Sequence, residues 1–172
     1  AEPRPLIVVM TTGGTIGSRR DPRTGAVSAV ASAAELLALV PWVTDLARIE
    51  LLPWASVNSW NMTPAMMFDL AREAAAVLER DDVAGVVVTH GTDTVEETGL
   101  MADLVIASDK PVVFVAAMRN LSEAGGDGPR NLADAIRVAA DPGSRGRGAL
   151  LVVNETIHAA RHVTKTNTVN PA

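Results

Sequence analysis

The chain has 172 residues, a formal net charge of −5, and 48% hydrophobic but only 3% aromatic residues. This length suits one domain, whose core Val, Ala and Leu must fill. The negative charge and the lack of a Lys/Arg block argue against nucleic acid as the main partner and favour small solutes. The absence of cysteine excludes disulfides, thiol catalysis and Cys-ligated metals.

The chain contains neither an apolar run of membrane-spanning length nor a recognisable signal sequence. We therefore expect no membrane partner and take a cytoplasmic location as the default, noting that a cleaved signal sequence would leave no trace.

Apolar runs and helical periodicities alternate along the chain. The first strand is predicted at Leu6–Met10, and the Gly-, Pro-, Arg- and Ser-rich segment Arg19–Ala31 predicts a mobile loop. The later predicted elements are a short helix around Leu36–Val40, strand Ile49–Trp54, polar segment Ser56–Thr63, helix Pro64–Arg80 with Thr63 as N-cap, strand Val83–Val88, a helix capped by Asp93 or Thr94 that runs through Val105, strand Pro111–Ala117, loop Met118–Pro129, helix Pro129–Ala139 and strand Ala149–Val153. Residues 154–172 are polar and predict no further helix.

This alternation predicts a doubly wound α/β fold over residues 1–172, with a mostly parallel sheet and helices on both faces. A polar, small-residue segment follows each predicted strand, at Thr11–Thr15, Ser56–Asn61, Thr89–Asp93, Met118–Arg119 and Asn154–Thr156. Parallel strands bring such segments to one edge of the sheet, where open α/β sheets bind their ligands.

Two of these segments combine threonine with glycine. Thr11–Thr15 lacks the lysine and spacing of a P-loop and is not Gly-x-Gly-x-x-Gly. The same tight turn suits a hydroxyl nucleophile, with neighbouring backbone N–H groups as an oxyanion hole. In the second segment, Gly91 permits a turn, and Glu96 and Glu97 fall in the first turn of the next helix, where carboxylates suit the macrodipole.

A threonine nucleophile requires a base at neutral pH. Lys165 is the better candidate, since a desolvated lysine has a lowered pKa; His90 is expected to pack in the core, and His158 and His162 to be solvated. Asp93 can pair with Lys165, bind a substrate ammonium group or cap the helix. Residues 154, 155 and 158 lack a convincing ligand spacing, so we predict neither a metal nor another cofactor.

Thr12-Gly13-Gly14-Thr15-Ile16 and Thr89-His90-Gly91-Thr92-Asp93-Thr94-Val95-Glu96-Glu97-Thr98 together resemble the two signatures of bacterial-type L-asparaginases. Further matches are Ser59-x-Asn61-Met62, Lys110-Pro111-Val112-Val113 leading to Ala117-Met118-Arg119, Asp127-Gly128-Pro129-x-Asn131-Leu132, and Val163-Thr164-Lys165-Thr166-Asn167. The resemblance extends over essentially the whole chain and is to the family's N-terminal domain.

The resemblance implies hydrolysis of L-asparagine to aspartate and ammonia through a threonine acyl-enzyme. By motif position, Thr12 is the nucleophile, and Thr92, Asp93 and Lys165 relay protons. Ser59 corresponds to the residue that binds the substrate α-carboxylate, Asp93 also to the group that binds the α-amino nitrogen, and Ala117 to a backbone carbonyl that meets the side-chain amide. The remaining expected substrate-binding residues are Trp60, Gly91 and Thr92.

Three departures from the family pattern carry expectations. The chain has no Tyr, and Ala26 or Val27 lies near the place of the family's loop tyrosine, so proton transfer from Thr12 would depend on Thr92, Lys165 or water. Trp60 stands where members often have a smaller polar residue, which predicts preference for asparagine over glutamine. Members typically have a second, smaller domain, so the sequence is either a fragment or a one-domain form; we expect a homo-oligomer, dimer or tetramer.

Two alternatives remain open from the sequence. The chain is a glutaminase subunit that feeds ammonia to an amidotransferase, or a catalytically silent module that binds aspartate or asparagine. Turnover of free asparagine distinguishes the asparaginase from both.

Overall fold

A computed structural model describes residues 3–13, 33–118 and 126–167, together with the backbone of residues 18–20 and 27–29. The expected contributions of Gly14–Ile16, Ala26 and Arg119, and most of the predicted loop Met118–Pro129, lie outside these residues.

A six-stranded sheet forms the centre of the fold, in the order β4-β1-β5-β6-β7-β8. Its strands are β1 Leu6–Thr11, β4 Arg48–Pro53, β5 Val83–Thr89, β6 Val112–Val115, β7 Ala149–Val153 and β8 Thr156–Ala159. Two further strands, β2 Ser18–Arg20 and β3 Val27–Ala29, pair with each other in a separate two-stranded sheet. Within the six-stranded sheet, β4, β1, β5, β6 and β7 run parallel, and β8 pairs antiparallel with β7. The predicted doubly wound, mostly parallel sheet is therefore confirmed.

Helices cover both faces of this sheet. They are α1 Ala33–Ala38, α2 Val43–Leu46, α3 Pro64–Leu78, α4 Val95–Val105 and α5 Gly128–Ala140. Successive side chains of a strand point to opposite faces, so Ile7 and Val9 of β1 pack with α2 and α5, whereas Val8 and Met10 pack with α3 and α4. Among the helices of the described residues, none combines the length and the hydropathy that crossing a membrane requires.

The starts of two helices show how local sequence and tertiary contacts compete. At α3, Thr63 is the N-cap and accepts a hydrogen bond from the Met66 amide at 3.3 Å, with Pro64 in the first turn, as predicted. At α4, Thr94 is the N-cap residue, but its side chain makes no capping bond. The Thr94 hydroxyl instead donates to the Ser59 carbonyl at 2.8 Å, so it fastens the turn before α4 to a neighbouring segment.

Three expectations about the less regular segments are corrected. The segment Arg19–Ala31 is not loop throughout, because β2 and β3 form an antiparallel pair. The segment after β7 contains β8 and a short 3₁₀ helix, Ala160–His162. Helix α2 was not predicted, because its four residues are too short to show a helical period.

Candidate active site

The strand order has a topological switch point at the carboxyl ends of β1 and β5. The chain goes from β1 to β4 on one side and then returns to β5 on the other, so the order reverses between β1 and β5. Open α/β sheets bind ligands outside the carboxyl ends of the strands at such a switch point. Thr11 of β1 pairs in register with Thr89 of β5, so the two Thr-Gly turns leave the sheet side by side.

Thr12 follows β1 directly, at this switch point. Its side chain is buried, and its hydroxyl donates to the Thr89 carbonyl at 2.8 Å. The Thr12 carbonyl accepts a hydrogen bond from the Val57 amide at 2.8 Å. The next residue, Gly13, has a φ of 99°, and a Cβ there would lie 2.7 Å from the Val57 carbonyl oxygen. Only glycine fits this turn, which fixes the position of Thr12.

Ser59 lies against the turn after β5. The Ser59 side chain is buried. Its Oγ accepts a hydrogen bond from the Asp93 amide at 3.2 Å and lies 3.4 Å from Asp93 Oδ2. A Cβ at Gly91 would lie 2.7 Å from the Ser59 Cβ. The lack of a side chain at Gly91 therefore permits Ser59 to approach the turn that carries Thr92 and Asp93.

Lys165 reaches this turn from the segment that follows β8. Its Nζ donates to Thr92 Oγ1 at 2.7 Å and to Asp93 Oδ1 at 2.8 Å. The Lys165 side chain is 20% exposed, against 44% for Asp93. The pairing of Asp93 with Lys165, one of the three roles that the sequence leaves open for Asp93, is thus present, and it includes Thr92. Thr12 is hydrogen-bonded to Thr89, the last residue of β5. Among the described residues, no hydrogen bond joins Thr12 directly to Lys165.

Ala117 follows β6 and is buried at the same edge of the sheet. The neighbouring backbone is held by α5: Asn131 Nδ2 donates to the Ala116 carbonyl at 2.9 Å, and the Met118 amide donates to Asp127 Oδ2 at 3.2 Å. Asn131 also donates to that carboxylate at 3.0 Å. Sequence analysis quoted Asp127 and Asn131 only as matching residues; their i, i+4 spacing across a helix start was the available signal.

The remaining candidates differ in how far they are buried. Trp60 is 67% exposed. His90 is fully buried, as expected, and burial lowers the pKa of its imidazole. His162 is exposed, but the expectation of a solvated His158 is wrong, because His158 is half-buried and lines a cavity.

That cavity, of ≈ 240 Å³, borders the hydrogen-bonded group of Thr92, Asp93 and Lys165 from the β7 side. Thr92, Lys165 and Glu96 line it, over an apolar wall that includes Leu151 and Val153. Its lining does not include Thr12, Ser59, Trp60, Asp93 or Ala117. The cavity therefore lies beside Thr92 and Lys165 and not over Thr12.

Fold and site define an α/β domain with hydroxyl, amine and carboxylate groups gathered at its topological switch point. The family described as "Asparaginase, N-terminal" matches residues 6–172. This chain belongs to that family.

Several relatives show how far the similarity extends. L-asparaginase 2 of Bacillus subtilis is 41% identical over 167 residues, which cover 95% of this chain and 44% of that protein. L-asparaginase 2 of Escherichia coli is 39% identical over 170 residues, 98% of this chain and 48% of that protein. The crystal structure of a probable cytoplasmic L-asparaginase from Campylobacter jejuni superposes with a TM-score of 0.91 at 36% identity, covering 98% of this chain and 52% of that chain. The chain thus spans about half the length of the relatives it matches.

Proposed function

We propose that this protein hydrolyses L-asparagine to L-aspartate and ammonia through a threonine acyl-enzyme. One observation carries the proposal: Lys165 is hydrogen-bonded to both Thr92 and Asp93 at the switch point that also holds Thr12, in a chain that belongs to the asparaginase family. The relatives named L-asparaginase support the same substrate class.

Thr12 is the proposed nucleophile. Its Oγ forms a bond to the amide carbon of the substrate, the carbon–nitrogen bond breaks, and ammonia leaves with the proton that the hydroxyl gives up. Water then cleaves the ester, which releases aspartate and restores the Thr12 hydroxyl. Because this hydroxyl donates to the Thr89 carbonyl, it must turn away from that oxygen to attack.

Thr92, Asp93 and Lys165 supply the proton relay. An uncharged Lys165 amine accepts a proton from Thr92, and Thr92 in turn accepts one from Thr12 or from the attacking water. Asp93 accepts a hydrogen bond from the same amine at 2.8 Å, which holds Nζ beside Thr92. General acid–base assistance of this kind contributes about 10²- to 10⁴-fold to a rate.

Substrate recognition in this proposal uses the groups around the turn after β5. Ser59 binds the α-carboxylate and Asp93 the α-ammonium group, which a carboxylate attracts. The Ala117 carbonyl accepts from the side-chain amide, and Gly91 and Thr92 form the wall between them.

Trp60 bears on the choice between asparagine and glutamine as substrate. A bulky ring beside the site disfavours the longer side chain of glutamine, so we expect ammonia release from asparagine to exceed that from glutamine. The test measures ammonia from both substrates with the full chain and with Lys165→Met, which should lose at least about 100-fold in activity. Binding of asparagine without ammonia release would favour a silent module, and turnover of glutamine alone would favour a glutaminase subunit.

In this proposal, residues 1–172 form one asparaginase N-terminal-like domain. The domain acts as a homo-oligomer, which is either a dimer or a tetramer. The proposed location is the cytoplasm, which the name of the Campylobacter jejuni relative gives for that protein. Fractionation of source cells that recovers the protein only from the periplasm would reject this location.

A further inference from the structure

Helix α4 presents one face to the segment 160–165, which carries Lys165. Glu96, Gly99 and Asp103 occupy positions i, i+3 and i+7, which lie on the same side of a helix. Ala160 packs on this face, because a Cβ added at Gly99 would come within 3.1 Å of the Ala160 Cβ. The segment therefore lies directly against α4.

Asp103 fastens the beginning of this segment. Its side chain is only 3% exposed, and its carboxylate accepts from Arg161 Nε at 2.9 Å and from the Ala149 amide at 2.8 Å. Charge-assisted hydrogen bonds to a buried carboxylate are among the stronger polar contacts in proteins. One carboxylate thus ties both the start of β7 and the 3₁₀ helix to α4.

Glu96 fastens the end of the segment. Its Oε2 accepts from the backbone N–H of Lys165 at 2.6 Å, and Thr164 Oγ1 lies 3.0 and 2.9 Å from its two carboxylate oxygens. These contacts hold the backbone from which the Lys165 side chain begins. From the sequence, Glu96 is expected to favour the helix macrodipole and is part of the second signature, but neither observation predicts its contact with Lys165.

We propose that Glu96 is a positioning residue, which holds Lys165 so that its amine reaches Thr92; this role rests on the proposed hydrolysis of asparagine. A lysine side chain has a flexible four-carbon stem, so fixing its backbone restricts where Nζ can lie. Thr92, Asp93 and Glu96 belong to one turn and helix start, which therefore holds Lys165 at both its backbone and its amine. Because Asp103 fastens the segment independently, loss of Glu96 should move Lys165 without unfolding the domain.

The test compares Glu96→Ala with Glu97→Ala, which removes an exposed carboxylate from the same helical turn. We expect kcat for ammonia release from asparagine to fall about 100-fold in Glu96→Ala, as for a catalytic group displaced by about 1 Å, with KM changed by less than about threefold. Glu97→Ala should behave as the parent. An equal loss in both variants would overturn the inference.

A double variant tests whether Glu96 acts through Lys165. Residues that act as a unit are not additive, so Glu96→Ala/Lys165→Met should have the same kcat as Lys165→Met alone. A general structural role for Glu96 would instead lower kcat further, and that result would reject the inference.

Hydrogen exchange of the Lys165 amide, measured by NMR, needs no turnover and separates this inference from the proposed function. The amide should exchange at least about tenfold faster in Glu96→Ala than in Glu97→Ala, as a locally opened hydrogen bond does, while the amides of β5 stay as in the parent. If the parent releases no ammonia from asparagine but this exchange responds, the proposed function fails and the positioning of Lys165 stands. If the parent is active and the exchange is unchanged, only the inference fails.

Discussion

His90 lies at the start of the turn that carries Thr92 and Asp93. Its imidazole is buried, and Nδ1 lies 2.8 Å from the Gly91 carbonyl oxygen. The imidazole and the Phe114 ring pack edge to face, with their centroids 6.2 Å apart. Its Nε2 has no hydrogen-bond partner among the described residues. Burial lowers the pKa of His90 because the imidazolium loses its hydration there, and the contact with Gly91 opposes this effect.

This lowered pKa makes stability depend on pH. The unfolded chain binds a proton at His90 below its usual pKa of about 6.5, whereas the folded chain resists that proton until lower pH. The free energy of unfolding should therefore fall as pH drops below about 6.5, by up to about 1.4 kcal/mol per pH unit from this residue. Chemical denaturation between pH 7.5 and 5 measures how the free energy of unfolding depends on pH. The experiment compares the parent with His90→Asn, which keeps a hydrogen-bond donor for the Gly91 carbonyl.

His90→Asn should show a shallower pH dependence than the parent, whatever its stability at pH 7.5. His162→Asn, which alters an exposed histidine, is the control and should keep the slope of the parent. Equal slopes for the parent and His90→Asn would mean that His90 is not responsible.

The position of some predicted site residues follows from the strand order alone, whereas that of others depends on contacts between distant residues. Thr12, Thr92 and Asp93 follow predicted strands at the carboxyl edge, so topology alone brought them to one place. The position of Lys165 depends on β8 and on Glu96 and Asp103 of α4, which are contacts between distant residues that no local pattern reveals. The motif predicted the residue, but only the fold shows what holds it.

At the scale of elements, the turn between β5 and α4 is the most constrained part of the site. Gly91→Ala would place a Cβ 2.7 Å from the Ser59 Cβ, so the turn or the Ser59–Asn61 helix must move. We expect a loss of about 1–3 kcal/mol in the free energy of unfolding and a fall in asparagine hydrolysis. Denaturation and ammonia assays measure the two effects.

The double variant Gly91→Ala/Ser59→Gly removes the clash and serves as the control. Its stability should recover toward that of the parent, while its activity should stay low, because Ser59 is a proposed substrate ligand. Unimpaired stability in Gly91→Ala would show that the turn tolerates a side chain.

The sequence predicted the parallel strands from continuous apolar runs, since strands such as β1 and β6 are buried on both faces. It predicted the long helices from apolar residues that recur at helical spacing. It missed β8, whose side chains are half-buried or exposed and which depends on pairing with β7. The connecting residues Asn154 and Glu155 have φ values of 50° and 58°, the geometry of a tight hairpin turn, but without the glycine that marks such turns in a sequence.

At the scale of the whole molecule, exposed apolar side chains on α3 and α4 support the proposed oligomer. Phe68, Leu100 and Leu104 are 44%, 41% and 75% exposed. A group of large apolar side chains in water is typical of an interaction surface. Sedimentation of the full chain should give the mass of a dimer or tetramer, and Leu104→Glu should lower that mass.

Leu46→Glu tests the opposite face of the sheet, where Leu39, Trp42 and Leu46 are also exposed. A lower mass for Leu46→Glu with an unchanged mass for Leu104→Glu would place the contact on that face instead of on α3 and α4. A monomer with full activity toward asparagine would reject the oligomer proposal.

The central claim is that the hydroxyl of Thr12 attacks the amide, and ammonia release from asparagine by Thr12→Ala tests it most directly. Thr12→Ser keeps a hydroxyl at the same place and is the control. We predict that Thr12→Ala releases no ammonia above background while Thr12→Ser retains measurable activity. Activity in Thr12→Ala equal to that of the parent would contradict the claim and move the nucleophile elsewhere, with Thr92 as the first residue to examine.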